Sequence, residues 1–171
     1  MQLSKTAYVI LGMLRMGKRT GYEIKSLVDV STRFFWAASY GQIYPELKRL
    51  EDAGLIEGEA EATGGRARRA FSLTKKGDAA LDDWLTSGGP LHFELRHEGL
   101  LRLFFSDPLS GGERTELLRA IRGEHERVRE ELRAIRPTAE GSGLEAPVEV
   151  LEFGIAYQDF IVDWCSRLER R

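Results

Sequence analysis

Ile43, Leu47 and Leu50 follow one another at steps of four and three, which places them on one stripe of a helix running from about Ser39 to a stop at Gly54. Tyr44, Lys48 and Arg49 fall off that stripe, so the opposite face is polar and basic. Upstream, Thr6 to Met16 carries Tyr8, Ile10, Leu11 and Leu14 at helical intervals, and Gly17 stops it. Thr20 and Glu23 form a capping box that opens a second helix with Ile24, Leu27 and Val28 inward. Phe34, Phe35 and Trp36 are an aromatic connection into the third helix. That entry holds a conflict: Ser39 and Gln42 form a second capping box, yet Pro45 would clash with the Gly41 carbonyl in a regular helix. Either the first turn is distorted or Gly41 is the cap.

After Gly54, Leu55 to Ala60 and Ala67 to Leu73 read as two short strands, with Gly64-Gly65 as the hairpin turn. Arg66, Arg68 and Arg69 cluster near the tip, while Phe71 and Leu73 share one face toward the core. Thr74 to Leu85 makes a fourth helix, with Leu81, Trp84 and Leu85 inward. Three helices, a two-stranded wing and a helix make a winged helix-turn-helix module.

Ser87-Gly-Gly-Pro90 is rich in turn residues, which predicts domains at 1–86 and 87–171. Leu95 to Phe105 is an apolar helix, and Ser110 with Glu113 caps a long one reaching about Arg136. Along the long helix Leu118, Ile121, His125, Val128, Leu132 and Ile135 are spaced 3, 4, 3, 4, 3, a coiled-coil seam. Pro137 to Gly143 reads as a turn, and Pro147 opens a last helix with Leu151, Ile155 and Trp164 among its apolar residues. Three such helices do not cover themselves, so these seam residues, together with Leu151, Ile155 and Trp164, are expected to pack against a second subunit. Packing of the seam within its own chain is the alternative. His125 reads as a satisfied interface histidine, with a pH switch or ligand contact as the other possibility.

Composition adds bounds. The chain has 171 residues, 42% apolar and 30% charged, enough for one full core or two small ones. Residues 1–86 hold 13 Lys+Arg against 11 Asp+Glu, and residues 87–171 hold 12 against 16, so the first part is net +2 and the second −4. This mild asymmetry admits a nucleic-acid partner for the first part only. No apolar run approaches a membrane span and the start lacks a signal-peptide core, so the expected location is cytoplasmic with no membrane partner. A single cysteine, Cys165, forms no internal disulfide or cysteine cluster. His92, His97 and His125 show no metal spacing, and Ser39 and Ser110 are explained as caps, so neither metal, cofactor nor enzyme chemistry is expected.

Tyr40-Gly-Gln-Ile-Tyr-Pro-Glu-Leu-Lys-Arg-Leu-Glu-Asp-Ala-Gly-Leu-Ile56 resembles the recognition-helix signature of the PadR-type transcriptional regulators. Gly64 to Gly77 resembles the wing of that family and the entry to its fourth helix, with Ala67 where proline often precedes the arginine pair. The resemblance is specific over residues 5–85 and looser beyond, at Leu101-Arg-Leu-Phe-Phe105 and Gly154-Ile-Ala-Tyr157. It implies a homodimeric DNA-binding repressor, an α-helical dimerisation domain and relief by a small ligand.

For DNA, Gln42 is a candidate for an adenine edge, and Tyr44, Lys48 and Arg49 approach the major groove with it. Arg66, Arg68 and Arg69 would hold phosphates or enter the minor groove, and the resemblance adds Tyr22 and Ser39 as backbone contacts. A dimer suits a palindromic operator. Tyr8, Trp36, Phe93 and Phe104 are candidates to line a pocket for a small aromatic effector, between the domains or at the dimer interface; plain core is the bland alternative. A winged-helix protein-interaction scaffold that binds no DNA is the competing function.

Overall fold

In the computed structural model, residues 3–61, 68–89, 91 and 93–170 are described. The fold is mainly helical with one two-stranded antiparallel sheet among the described residues. The chain divides into two compact units, Met1–Pro90 and Leu91–Arg171.

In the first unit α1 (Lys5–Arg15) is capped by the Ser4 side chain, and α2 (Gly21–Val30) by the reciprocal box of Thr20 and Glu23. A single 3-10 turn at Thr32–Phe34 leads toward α3 (Tyr40–Asp52). The conflict at the α3 entry resolves in favour of Ser39 as cap, with Pro45 inside the helix. The Ser39 amide donates to Gln42 Oε1 at 2.9 Å, which holds the first turn. Pro45 therefore withholds from the Gly41 carbonyl the amide that would close that turn, on the exposed side where water replaces it. At the other end the Leu55 amide reaches the Leu50 carbonyl and the Gly54 amide the Glu51 carbonyl, a Schellman closure that needs the left-handed φ of +68° at Gly54.

β1 (Ile56–Glu61) pairs antiparallel with β2 (Arg68–Leu73), Ile56 facing Leu73 and Glu61 facing Arg68. The Gly64-Gly65 turn lies outside the described residues. The Phe71 amide donates to the Arg19 carbonyl at 2.6 Å, tying the wing to the loop between α1 and α2. α4 (Lys75–Thr86) is capped by Thr74, whose hydroxyl also donates to the Gly54 and Leu55 carbonyls. Ile10, Leu11, Ile24, Val28, Ile43, Leu47, Leu50, Ile56 and Phe71 form one core under this arrangement. The α4 expectation needs one correction: Leu81 is buried, but Leu85 is 61% exposed and Trp84 lies at the rim, stacked on Tyr8 at 4.5 Å.

The second unit consists of α5 (Glu98–Phe104), α6 (Gly111–Glu140) and α7 (Glu145–Glu169). Helix α6 runs through Pro137, where a turn was expected, and ends at Gly141. Helix α7 starts two residues before Pro147, whose missing amide falls among the first-turn donors that have no helical partner. Ion pairs Arg122–Glu169, Arg129–Asp159 and Arg136–Glu152 join residues that ascend on α6 and descend on α7, so the two are an antiparallel hairpin.

This hairpin changes the reading of the seam. Leu118 and Ile121 pack with Ile161 and Cys165 of α7, and Leu132, Leu151 and Ile155 are buried within the same chain. His125, Val128, Ile135 and Trp164 are half-buried. The short connection after Gly141 folds α7 back along α6, and it fills the heptad before any second subunit does. A second stripe of α7 runs along Val150, Phe153, Tyr157, Phe160 and Trp164, spaced 3, 4, 3, 4; Val150, Phe153 and Phe160 are exposed, while Tyr157 and Trp164 are half-buried against the core of the hairpin. Phe153 is 71% and Phe160 58% exposed.

Candidate nucleic-acid interface

Helix α3 buries Ile43, Glu46, Leu47 and Leu50 and turns Tyr40, Gln42, Tyr44, Lys48 and Arg49 outward. Tyr22, near the start of α2, is 64% exposed, and Ser39 is exposed at the cap. Between α2, α3 and β2 lies an open cleft of about 980 Å³ lined by Tyr22, Tyr44, Lys48, Glu51 and Arg69. Its walls approach closely because position 21 is glycine: a Cβ there would lie 2.8 Å from the Tyr44 ring. The structure thus gathers Tyr22, Tyr44, Lys48 and Arg69 on one cleft, with Gln42 and Arg49 on the same helix. Arg66 and the Arg68 side chain lie outside the described residues; Arg68 itself opens β2.

The charges of this surface are already partnered. Lys48 pairs with Asp52 at 3.5 Å, Arg49 with Glu46 at 3.1 Å and Arg69 with Glu51 at 2.6 Å. The Lys48–Asp52 pair is exposed on both sides and such pairs contribute about 0–1 kcal/mol, so a phosphate displaces it at little cost, whereas Arg49 is three-quarters exposed but faces a buried Glu46. The Arg69 guanidinium also lies over the Phe71 ring, 5.7 Å from its centre, and links the wing to α3 through Glu51. Gln42 is constrained differently. Its Oε1 accepts from both the amide and the hydroxyl of Ser39, so only its NH2 side is turned to a base edge while the cap is intact.

Two carboxylates escaped the sequence reading. Glu46 sits inside the apolar stripe of α3, 7% exposed, accepting from the Ser4 hydroxyl at 2.8 Å while its other oxygen holds Arg49. A charged residue one step from Leu47 on a buried stripe was the available signal. Glu23 is held below the ordinary carboxylate range, first by the Arg19 amide and then by the Thr20 amide and hydroxyl. Its carboxylate occupies the Arg19 and Thr20 amides just ahead of α2, and the Glu23 amide is held by the Thr20 hydroxyl.

The effector candidates are placed one by one. Tyr8 is spent on the stack with Trp84; Trp36 is 44%, Phe93 85% and Phe104 79% exposed. The cleft beside α3 and a smaller one at the start of α7 include none of these four.

Residues 10–83 match the transcriptional regulator PadR-like family, and residues 95–171 match the virulence activator alpha C-terminal family. Residues 10–83 are a PadR-like transcriptional regulator domain. The negative transcriptional regulator PadR of Bacillus subtilis is 36% identical over 113 residues, 66% of this chain and 62% of that protein, so the match spans under two thirds of the curated relative. The structure of Bacillus subtilis PadR in complex with operator DNA superimposes with a TM-score of 0.88 at 26% identity, over 99% of this chain and 98% of that one. Bacillus subtilis PadR in complex with p-coumaric acid gives a TM-score of 0.78 at 26% identity, over 98% and 97%. These relatives are regulators and not enzymes. Among the described residues no helix is long and apolar enough to cross a membrane.

Proposed function

We propose that this PadR-like chain is a homodimeric, sequence-specific DNA-binding repressor, acting in the cytoplasm, whose operator binding is relieved by a small aromatic ligand. The observation that carries the DNA reading is the convergence of Tyr44 and Lys48 on α3 with Tyr22 of α2 and Arg69 of the wing around one exposed cleft. Helix α3 enters the major groove, where Gln42 and Arg49 face base edges and Tyr22, Ser39, Tyr44 and Lys48 take phosphates. The wing, through Arg66, Arg68 and Arg69, grips the flanking backbone. A relative crystallised with operator DNA supports the first part, and one crystallised with p-coumaric acid supports the ligand. Trp36 on the first unit, and Phe93 and Phe104 on the second, keep exposed ring surface and are separate candidates for the effector contact in this reading.

The subunit contact is assigned to the second stripe of α7, from Val150 to Trp164, meeting its own copy. A 3, 4, 3, 4 spacing of large side chains, with Val150, Phe153 and Phe160 still exposed after the first seam is filled, is what a coiled-coil partner requires. Two-fold symmetry then matches a palindromic operator with half-sites about 34 Å apart. The double variant Lys48→Ala/Arg49→Ala tests the DNA reading by fluorescence anisotropy across a salt series. The slope of log affinity against log salt is expected to become shallower by about 0.9 for each phosphate that the variant no longer neutralises. An unchanged affinity and slope would remove α3 from the interface.

A further inference from the structure

Helix α5 is held to the α6–α7 hairpin by a chain of hydrogen bonds through two histidines. The Leu100 amide donates to His97 Nδ1 at 3.2 Å, making His97 the N-cap of α5. His97 Nε2 lies 2.8 Å from His125 Nε2, and His125 Nδ1 lies 2.5 Å from Gln158 Oε1. The imidazoles are stacked with centres 4.9 Å apart, and Gln158 is 8% exposed.

A backbone amide can only donate, and this fixes every proton in the chain. His97 Nδ1 must present a lone pair, so a neutral His97 carries its proton on Nε2 and donates it to His125. His125 Nε2 then presents its lone pair, and its proton sits on Nδ1, directed at the Gln158 oxygen. The opposite direction would leave His97 with two acceptor nitrogens and no proton. Two imidazoles thus hold two ring protons, and a third fits nowhere. On His97 Nδ1 it faces the Leu100 N–H; on His125 Nε2 it faces the His97 N–H. Were His97 to yield its Nε2 proton and take one on Nδ1, the cap would still be lost.

We propose that the His97–His125–Gln158 chain is a proton-operated latch, in which uptake of one proton between neutral and mildly acidic pH uncaps α5 and releases its N-terminal turn from α6 and α7. Burial, and then the proximity of His125, hold His97 below the ordinary histidine range. A depressed histidine adds stability that is full above about pH 6.5 and is lost as pH falls through the folded value. The carboxylates around the pair are each shared with an arginine. On α5, Glu98 is paired with Arg102; on α6, Glu124 with Arg127 and Glu126 with Arg122; on α7, Asp159 is held by Arg129. The remaining neighbour is the Tyr157 ring, edge-on to His125, whose phenol burial keeps neutral. Glu124 is the carboxylate whose charge reaches His125, and it is shared with Arg127.

The test uses the full chain without DNA, so it is independent of the repressor reading. Imidazole ¹⁵N shifts at pH 7.5 are expected to show opposite tautomers, Nε2–H for His97 and Nδ1–H for His125. Exchange protection of the Leu100 and Leu101 amides, corrected for intrinsic rates, is expected to fall about tenfold for each unit by which the folded pKa lies below the unfolded one. His97→Asn keeps a capping acceptor that does not titrate, so protection should persist and its pH dependence vanish. The same tautomer in both rings, a cationic ring at pH 7.5, or protection independent of pH between 7.5 and 5 would overturn the latch. The tautomer measurement needs no variant and stands even if His97→Asn does not fold.

Discussion

Gly77→Ala is expected to destabilise the first unit by about 3 kcal/mol, at the upper end of overpacking costs, and to lower its melting temperature by more than 10 °C, at about 4–8 °C per kcal/mol. A Cβ at position 77 would stand 1.9 Å from the Leu55 carbonyl oxygen. That oxygen cannot retreat, because it accepts from both the amide and the hydroxyl of Thr74. The collision therefore breaks the junction where the end of α3, the start of β1 and the cap of α4 meet. Gly12→Ala is the contrasting control: nothing lies within 4 Å of a Cβ there, and replacing a mid-helix glycine should stabilise by about 0.5–1 kcal/mol. Thermal unfolding of the two variants checks both signs.

These glycines look alike in the sequence, and that marks the boundary of what a sequence shows. Features encoded within a few residues were legible. The Thr20–Glu23 and Ser110–Glu113 boxes and the stop at Gly54 stand where their spacing puts them, because each is closed by bonds between near neighbours, and the two strands follow the alternation around their turn. Features decided by a distant partner were not. The apolar heptad of α6 says that something fills it; only the fold says that α7 does. Arg69 reads as a wing arginine open to phosphate, but Glu51 partners it across 18 positions. His97 and His125 sit 28 residues apart and meet only when α5 lies on α6. Pro137 misled for a further reason: a proline disfavours helix by its local chemistry, and a hairpin packed along its length overrides that preference.

Phe160→Glu is expected to turn the proposed dimer into a monomer at micromolar concentration in sedimentation. Truncating a central aromatic contact costs about 2 kcal/mol or more, and two-fold symmetry applies it twice, so dimerisation should weaken by roughly a thousandfold. Phe160 is 58% exposed in the single chain, so folding of the hairpin should be unaffected. Leu118→Ala makes the opposite case. Leu118 is 2% exposed against Ile161 and Cys165, so its truncation should cost about 2–5 kcal/mol of unit stability and leave association near normal. If Leu118→Ala dissociates the dimer while Phe160→Glu does not, the α6 seam is the subunit contact and the assignment to α7 is wrong.

The central claim is that α3 and the wing read a DNA sequence as a two-fold dimer. Selection of binding sites by the full chain from a randomised duplex library, followed by affinity measurement at fixed salt, tests it most directly. The expected result is a two-fold symmetric consensus with half-sites about one helical turn apart, bound about a thousandfold or more tighter than random duplex. Recovery of no consensus, with selected and random duplexes bound equally, would contradict it and leave the winged helix as an interaction scaffold.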